Sequence, residues 1–399
     1  MPAQPIEPEA VFTPAVPALE NFVNRPDLLR SIDNAFRTPG KQVVLYGETG
    51  SGKTSAAVHT LLVRLHRPHV RVQCQPSYTT SDLIHAILDE VDRTFSLAHR
   101  SESIGFHPHL KEQPVSPAYA HNPTPKALVE TCGQLGLTVL IDDYEKTGNL
   151  VIRREVANLA KEFSDRGTNL PGRLVIVGIH ESPGQMIRLD ESLNRRLVQI
   201  LVPLFSDSEI RGIFVEGFGK LGIEYGASVI GELVGLSGGY GGYAQDLGLR
   251  LAWEAMERGD RRFSAFDVGT VVERLLADNE ASFGDLYNRR IRQDPNASMQ
   301  LRQLTCEAIA LEDRRSLEVS EVNAAVLELV RRWWGQRGGI AQRSIRAELT
   351  KLLEPRDGCP EVLVREGSKG NYRYRYRNMM FRTYVRWQYE KRARGMSLR

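Results

Sequence analysis

The chain has 399 residues, with 52 Lys and Arg against 49 Asp and Glu, a formal net charge of +3 and 41% hydrophobic residues. That length exceeds what one core can bury and implies two or three domains. The balanced charge singles out no partner, and no apolar run is long enough to cross a bilayer as a helix.

Met1–Glu20 is rich in Pro, carries acids and lacks a basic n-region, so residues 1–20 are expected to form a flexible lead-in and not a secretory signal. Cys74, Cys132, Cys306 and Cys359 are scattered without a C-x-x-C pair. They suit a reducing cytoplasm and neither a zinc site nor a disulfide framework.

Val43–Tyr46 reads as a buried strand that ends at Gly47-Glu48-Thr49-Gly50-Ser51-Gly52-Lys53-Thr54, a full GxxxxGK[ST] motif, and a helix-compatible stretch from Ser55 to Arg64 follows. The glycines let backbone N–H groups wrap an anion, and the helix N-terminus adds a favourable dipole. Lys53 would reach the β- and γ-phosphates and Thr54 would ligate Mg²⁺.

Further along, His69–Cys74 is a second strand and Thr80–Phe95 a helix with Leu83, Ile84, Ile87, Leu88 and Val91 on one face. His99–Pro125 lacks periodicity and is expected to be a surface insertion, about 97–126, whose histidines show no metal-ligand spacing. Thr138–Ile141, Leu174–Ile179 and Val198–Leu204 are three more strands. Strands alternating with helices imply an α/β fold, a P-loop NTPase parallel sheet whose ligand lies beyond the carboxyl ends of the strands.

The third strand closes on Asp142-Asp143-Tyr144-Glu145, the Walker B arrangement, in which Asp142 would hold Mg²⁺. The carboxylate that polarises the attacking water is Asp143 or Glu145, and Asp143, which follows immediately, fits better. His180 ends the fourth strand and is either a sensor of the γ-phosphate or a strand cap. Arg195 or Arg196, before the fifth strand, would serve as an arginine finger in cis or from a neighbouring subunit, or lie solvated on an exposed end.

These features in this order resemble the AAA+ ATPases of the origin-recognition and STAND branches. The resemblance rests on Asn21-Phe22-Val23-Asn24-Arg25-Pro26, Gly47–Thr54, Val139–Asp143, the strand ending at His180 and the arginines before the fifth strand. It implies ATP as the nucleotide, with Arg25 and its neighbours near the adenine. It also implies a helical lid, expected from Ser208–Leu221, Ala227–Leu236 and Gln245–Met256. The lid's usual Gly-x-x-Arg element is replaced by Gly238–Ala244 without an arginine, which fits a switch with slow turnover better than a motor. Tyr240 or Tyr243 would touch the base or ribose, or pack between lid helices.

Beyond a helical connector lie helical patterns at Met299–Leu311, Ser320–Trp334 and Gln342–Leu353. The strands Val362–Arg365 and Tyr372–Tyr376 follow, joined by Gly367–Gly370. Three helices and a hairpin make a winged-helix domain. On double-stranded DNA, Arg343 and Arg346 would enter the major groove while Lys369 and Arg373 touch phosphates. Alternatively the domain holds the ATPase closed or meets a protein partner. From Asn371 onward Arg373, Arg375, Arg377, Arg382, Arg386, Lys391, Arg392, Arg394 and Arg399 face only Glu390, an asymmetry that raised the nucleic-acid reading. Trp333, Trp334 and Trp387 are expected in the core.

The expected organisation is thus a lead-in (1–20), an AAA+ core (21–205), a lid (206–258), a connector (259–298) and a winged helix (299–399). The expected activity is that of an ATP-binding switch on DNA or in a signalling assembly, with nucleotide-dependent homo-oligomerisation. The competing expectations are a regulator holding ATP as a structural cofactor and a protein-binding adaptor.

Overall fold

The computed structural model describes residues 6–100, 124–147, 150–166, 171–179, 191–292, 300–334, 342–368 and 370–397. The chain divides into two compact units, Met1–Gly217 with Gly239–Asp246 and Phe218–Gly238 with Leu247–Arg399. No described helix is long and apolar enough to cross a membrane.

The first unit is built on five parallel strands, β1 (Gln42–Tyr46), β2 (His69–Gln73), β3 (Thr138–Asp142), β4 (Arg173–Ile179) and β5 (Leu197–Leu201), in the order β2-β3-β4-β1-β5. Their continuous apolar runs are explained by burial on both faces. Val44, Val139, Ile141, Leu174 and Ile176 enter one core with helices α4 (Thr80–Arg100), α5 (Pro125–Gln134) and α6 (Leu150–Arg166). The alternating neighbours Val43, Leu45, Leu140, Val175 and Val177 enter another core with α2 (Pro26–Arg37) and α3 (Lys53–His59). The start of α2 follows from Pro26 at its first position and Asp27 in its first turn, and Leu29, Ile32, Ala35 and Phe36 form its buried face.

Three expectations are corrected in this unit. Within the described part of the expected flexible lead-in, Pro8–Phe12 is packed: α1 (Pro8–Val11) leads into Phe12, which is 1% exposed. Its ring lies so close to Gly217 that a Cβ there would sit 2.4 Å from it. The fifth strand ends at Leu201, short of Leu204, because Pro203 cannot donate to the ladder. Helix α4 runs to Arg100, inside the expected insertion, whose residues 101–123 lie outside the described ones.

The first unit also holds the first turns of α7 (Asp207–Leu221) and α9 (Gly241–Glu257). The second unit contains α8 (Val229–Ser237), the two-residue strands β6 (Glu224–Tyr225) and β7 (Arg262–Phe263), and the helices α10 (Ala265–Asp278) and α11 (Glu280–Leu286). The stretch 259–298 is therefore more than a connector: a Ser264–Asp267 capping box starts α10, and Val268, Val271, Leu275, Leu276 and Phe283 are buried. Then α12 (Leu301–Leu311), β8 (Leu317–Glu318), α13 (Val319–Trp334), α14 (Gln342–Leu352) and the hairpin β9 (Leu363–Glu366) and β10 (Arg373–Tyr376) reproduce the expected three helices and hairpin. The structure adds β8 as a third, antiparallel strand in the order β8-β10-β9. It also adds α15 (Met379–Ser397), where no helix was expected.

A packed N-terminal segment should be measurable in stability. Phe12→Ala is expected to cost about 3–5 kcal/mol in urea unfolding, the cost of emptying a buried aromatic site. A change under about 1 kcal/mol would restore the flexible reading.

Candidate nucleotide-binding site

The loop between β1 and α3 turns on Gly47, Gly50 and Gly52, with φ of +146°, +80° and +82°. Two of these positions also admit no side chain. A Cβ at Gly47 would lie 2.3 Å from the Val202 carbonyl oxygen, and one at Gly52 would lie 2.9 Å from the Phe205 ring. Left-handed or strained backbone packed that closely accepts glycine alone.

The loop borders a pocket of about 230 Å³. Thr49, Gly50, Gly52, Lys53 and Thr54 line it, together with Asp142, Asp143 and Glu145. Gly47, Glu48 and Ser51, also expected to bind nucleotide, belong to the same loop and do not line this pocket. Asn21, Phe22 and Val23 contribute to another part of the wall, and so does the segment Thr13–Ala18, which the sequence did not flag. That segment is anchored where Thr13 N donates to Gln245 Oε1 (3.0 Å) and Ala18 N to Ser55 Oγ (3.2 Å).

Lys53 is 8% exposed and donates to the Gly47 and Glu48 carbonyl oxygens at 2.9 and 2.7 Å. Burial lowers its pKa, opposed by the charges of Glu145, Asp142, Asp143 and Glu48 in that order. A buried ammonium held only by main-chain oxygens is a cation suited to an anionic ligand. Thr54 Oγ1 lies 3.1 Å from both oxygens of Asp142, which is 2% exposed. Hydroxyl and carboxylate thus converge as a hard-cation donor pair, and this oxygen set fits Mg²⁺.

The parallel sheet, in the order β2-β3-β4-β1-β5 with the glycine loop at the carboxyl end of β1, decides the architecture. The chain has the AAA+ P-loop ATPase fold. A Walker-type ATPase of Pyrococcus abyssi matches at 15% identity and a TM-score of 0.57, over 92% of this chain and 97% of that one. A Cdc6p from Pyrobaculum aerophilum matches at 15% and 0.48, over 95% and 98%. The ORC1 protein of Aeropyrum pernix, solved in complex with DNA, matches at 15% and 0.46, over 97% and 98%. No protein-family model and no curated protein matches the chain.

Within this AAA+ core the remaining expected residues fall in different places. Arg25 is not on the pocket wall. Its guanidinium donates to the Ser51 carbonyl (3.1 Å), to the Pro203 carbonyl (2.9 Å) and to Glu209 (3.1 Å), and it lies 4.5 Å from the centre of the Phe205 ring. It therefore holds the phosphate loop, where an adenine neighbour was expected. Tyr240 packs on Gly50 and donates to Glu48 Oε2 at 2.8 Å, so it meets the glycine loop, where contact with the base or ribose or packing between lid helices was expected.

The preference for Asp143 over Glu145 is not supported by the geometry. Asp143 stands in the left-handed region (φ +54°), and its carboxylate accepts from Lys146 Nζ at 2.8 Å. Glu145 lies across the end of β4, so close that a Cβ on Gly178 would sit 2.1 Å from its Oε2. It is also the carboxylate that acts most strongly on Lys53. Only glycine at 178 leaves that carboxylate its place.

Arg195 and Arg196 sit at the opposite end of the sheet. Gln42, the first residue of β1, donates to the Arg196 carbonyl, whereas the phosphate loop follows Tyr46, the last. Five residues of strand separate those ends by roughly 15 Å. A finger in cis is therefore overturned, and Arg196 is paired with Asp165 (2.5 Å) while Arg195 is exposed. His180 lies outside the described residues.

The second unit revises the basic C-terminus. Arg373, expected to touch phosphate, pairs with Glu318 (2.9 Å) and Glu321 (3.5 Å). Arg375 is 2% exposed and bound to Glu366. Arg377, Arg386 and Arg392 are engaged by Glu361, Glu390 and Glu307. Arg346 is exposed on α14, which also carries Arg343, while Lys369 lies outside the described residues. Trp333 packs edge-on to Tyr389 and Trp387 against Tyr384, but both are half-buried and not in the core, where they were expected. The side chain of Trp334 is outside the described ones.

Sequence reasoning also missed Arg71. Its Nη2 and Nε lie 2.7 and 2.9 Å from Asp142 Oδ2. The available signal was register: Arg71 stands two residues before Gln73, which is level with Asp142.

Because Arg25 acts through the loop, Arg25→Ala is expected to destabilise the protein by about 3 kcal/mol, the cost of breaking a buried pair. Nucleotide affinity should fall with it in calorimetric titration. Weakened affinity at unchanged stability would return Arg25 to the ligand.

Proposed function

We propose that the protein is an ATP-binding, slowly hydrolysing AAA+ switch of the origin-recognition type, with Mg²⁺ held by Thr54 and Asp142. The observation that carries this reading is the convergence of buried Lys53, Thr54 and Asp142 at the glycine loop. Lys53 would meet the β- and γ-phosphates, the loop amides would wrap them, and Mg²⁺ would neutralise charge developing on the phosphoryl oxygens. Glu145 would orient the attacking water, a role supported by its position over Gly178 and its charge acting on Lys53. Arg195 or Arg196 would complete the site only from a neighbouring subunit, which links turnover to homo-oligomerisation. The absence of a lid arginine in Gly238–Ala244 favours slow turnover and a switch.

Lys53→Ala is expected to weaken ATP binding by 100-fold or more, an order of magnitude set by loss of a charge-assisted phosphate contact in a dry site. Equal affinity in both proteins would remove the reading. Glu145→Gln should keep binding and reduce turnover by roughly 10²-fold or more. Asp143→Asn should reduce it less, and the reverse order would reinstate Asp143.

The winged-helix arrangement of the second unit is proposed to contact double-stranded DNA through α14, with Arg346 and Arg343 as the groove-facing pair. Internal pairing of Arg373 and its neighbours makes this contact small, and a protein partner is the competing role. Arg346→Ala is expected to weaken duplex binding and flatten its salt dependence, with a log–log slope lower by about one. Duplex DNA that fails to bind the native chain at low salt would leave the protein partner.

A further inference from the structure

Arg71 is used by none of the roles above, yet it makes the closest contact to the metal carboxylate. Asp142 Oδ1 accepts from Thr54 Oγ1 (3.1 Å) and the Asp143 amide (3.0 Å). Its Oδ2 accepts from Arg71 Nε and Nη2 (2.9 and 2.7 Å), with Thr54 Oγ1 equally near at 3.1 Å and able to give its one proton to either oxygen. A carboxylate offers about four lone-pair directions, so Asp142 is saturated with donors. A divalent ion reaches it only by removing one.

The three donors differ in what they can do. Thr54 is itself an expected metal ligand, and the Asp143 amide is fixed by the backbone. Arg71 sits on a flexible stem, its side chain is 29% exposed against 3% for Asp142, and it already lines the pocket. It is the donor that can leave. A guanidinium beside a divalent ion on one carboxylate is repelled by it, and moving away requires another anion. A triphosphate in the pocket supplies that anion together with the metal.

Resting on the nucleotide-site reading, we propose that Arg71 is a positioning and phosphate-binding residue that makes metal loading conditional on the triphosphate. It neutralises buried Asp142 and then exchanges that partner for the terminal phosphate when the Mg²⁺–triphosphate arrives. Two consequences separate this from a structural ion pair. The native chain should not bind Mg²⁺ by itself, and its preference for triphosphate over diphosphate should come in part from Arg71.

The test compares the full-length native chain, Arg71→Gln and Arg71→Lys by thermal unfolding and calorimetric titration with ATP and ADP. Mg²⁺ alone is expected to leave the native melting temperature unchanged and to raise that of Arg71→Gln, where the freed carboxylate takes the ion. The ratio of ATP to ADP affinity should fall about tenfold in Arg71→Gln, the worth of one charge-assisted contact, and be partly restored in Arg71→Lys. A native chain stabilised by Mg²⁺ alone, or an unchanged ATP/ADP ratio in Arg71→Gln, overturns the proposal. So does an equal loss of both affinities, which marks a structural pair. ADP binding by the native chain reports the nucleotide site itself, and its absence overturns that reading along with this one.

Discussion

Everything the first unit can do depends on holding one loop with its amides turned to an anion. Three positive-φ glycines give the loop its course, and without a Cβ they restrain its backbone less than other residues would. Its rigidity must come from neighbours. Arg25 grips the Ser51 carbonyl and, through Pro203 and Glu209, fastens it to the segment after β5. Phe205 and Tyr240 close on Gly52 and Gly50 from outside. A soft loop in a stiff frame can receive phosphate without reorganising, which is what electrostatic preorganisation requires.

The same frame explains the charges gathered below the loop. Asp142, Asp143 and Glu145 crowd the carboxyl end of β3 opposite a single buried ammonium, Lys53. Left alone, a carboxylate as buried as Asp142 would be costly. Arg71, Thr54 and the Asp143 amide hold it, while Lys146 takes Asp143 and Glu145 occupies the space over Gly178. The acids are thereby given different environments, which is the condition for different roles.

In the second unit the arithmetic of charge misled where the geometry did not. Counting Arg against Glu from residue 371 onward isolates a basic tail, but its partners come from earlier in the chain. Glu307, Glu318, Glu321, Glu361 and Glu366 meet it only after folding. Glu307 is fully buried against Arg392 with its pKa raised by burial, so part of this charge builds the interior of the unit and is lost to any partner. What remains exposed for recognition includes Arg346 on α14 and Lys391 and Arg394 on α15.

The sequence by itself determined the elements whose signals are local. The glycine motif, the five apolar strands, the acids closing β3 and the helices before the hairpin each depend on neighbours a few residues away, through φ preference, burial period and strand-end chemistry. Tertiary structure alone decided what those residues face. It alone placed Arg25 behind the loop, Arg71 on Asp142, Glu145 over Gly178, Phe12 against Gly217 and Arg195–Arg196 at the far end of the sheet. Each of these is a contact or separation set by strand order and long-range packing, and a linear chain carries no local signal for a partner 70 or 200 residues distant.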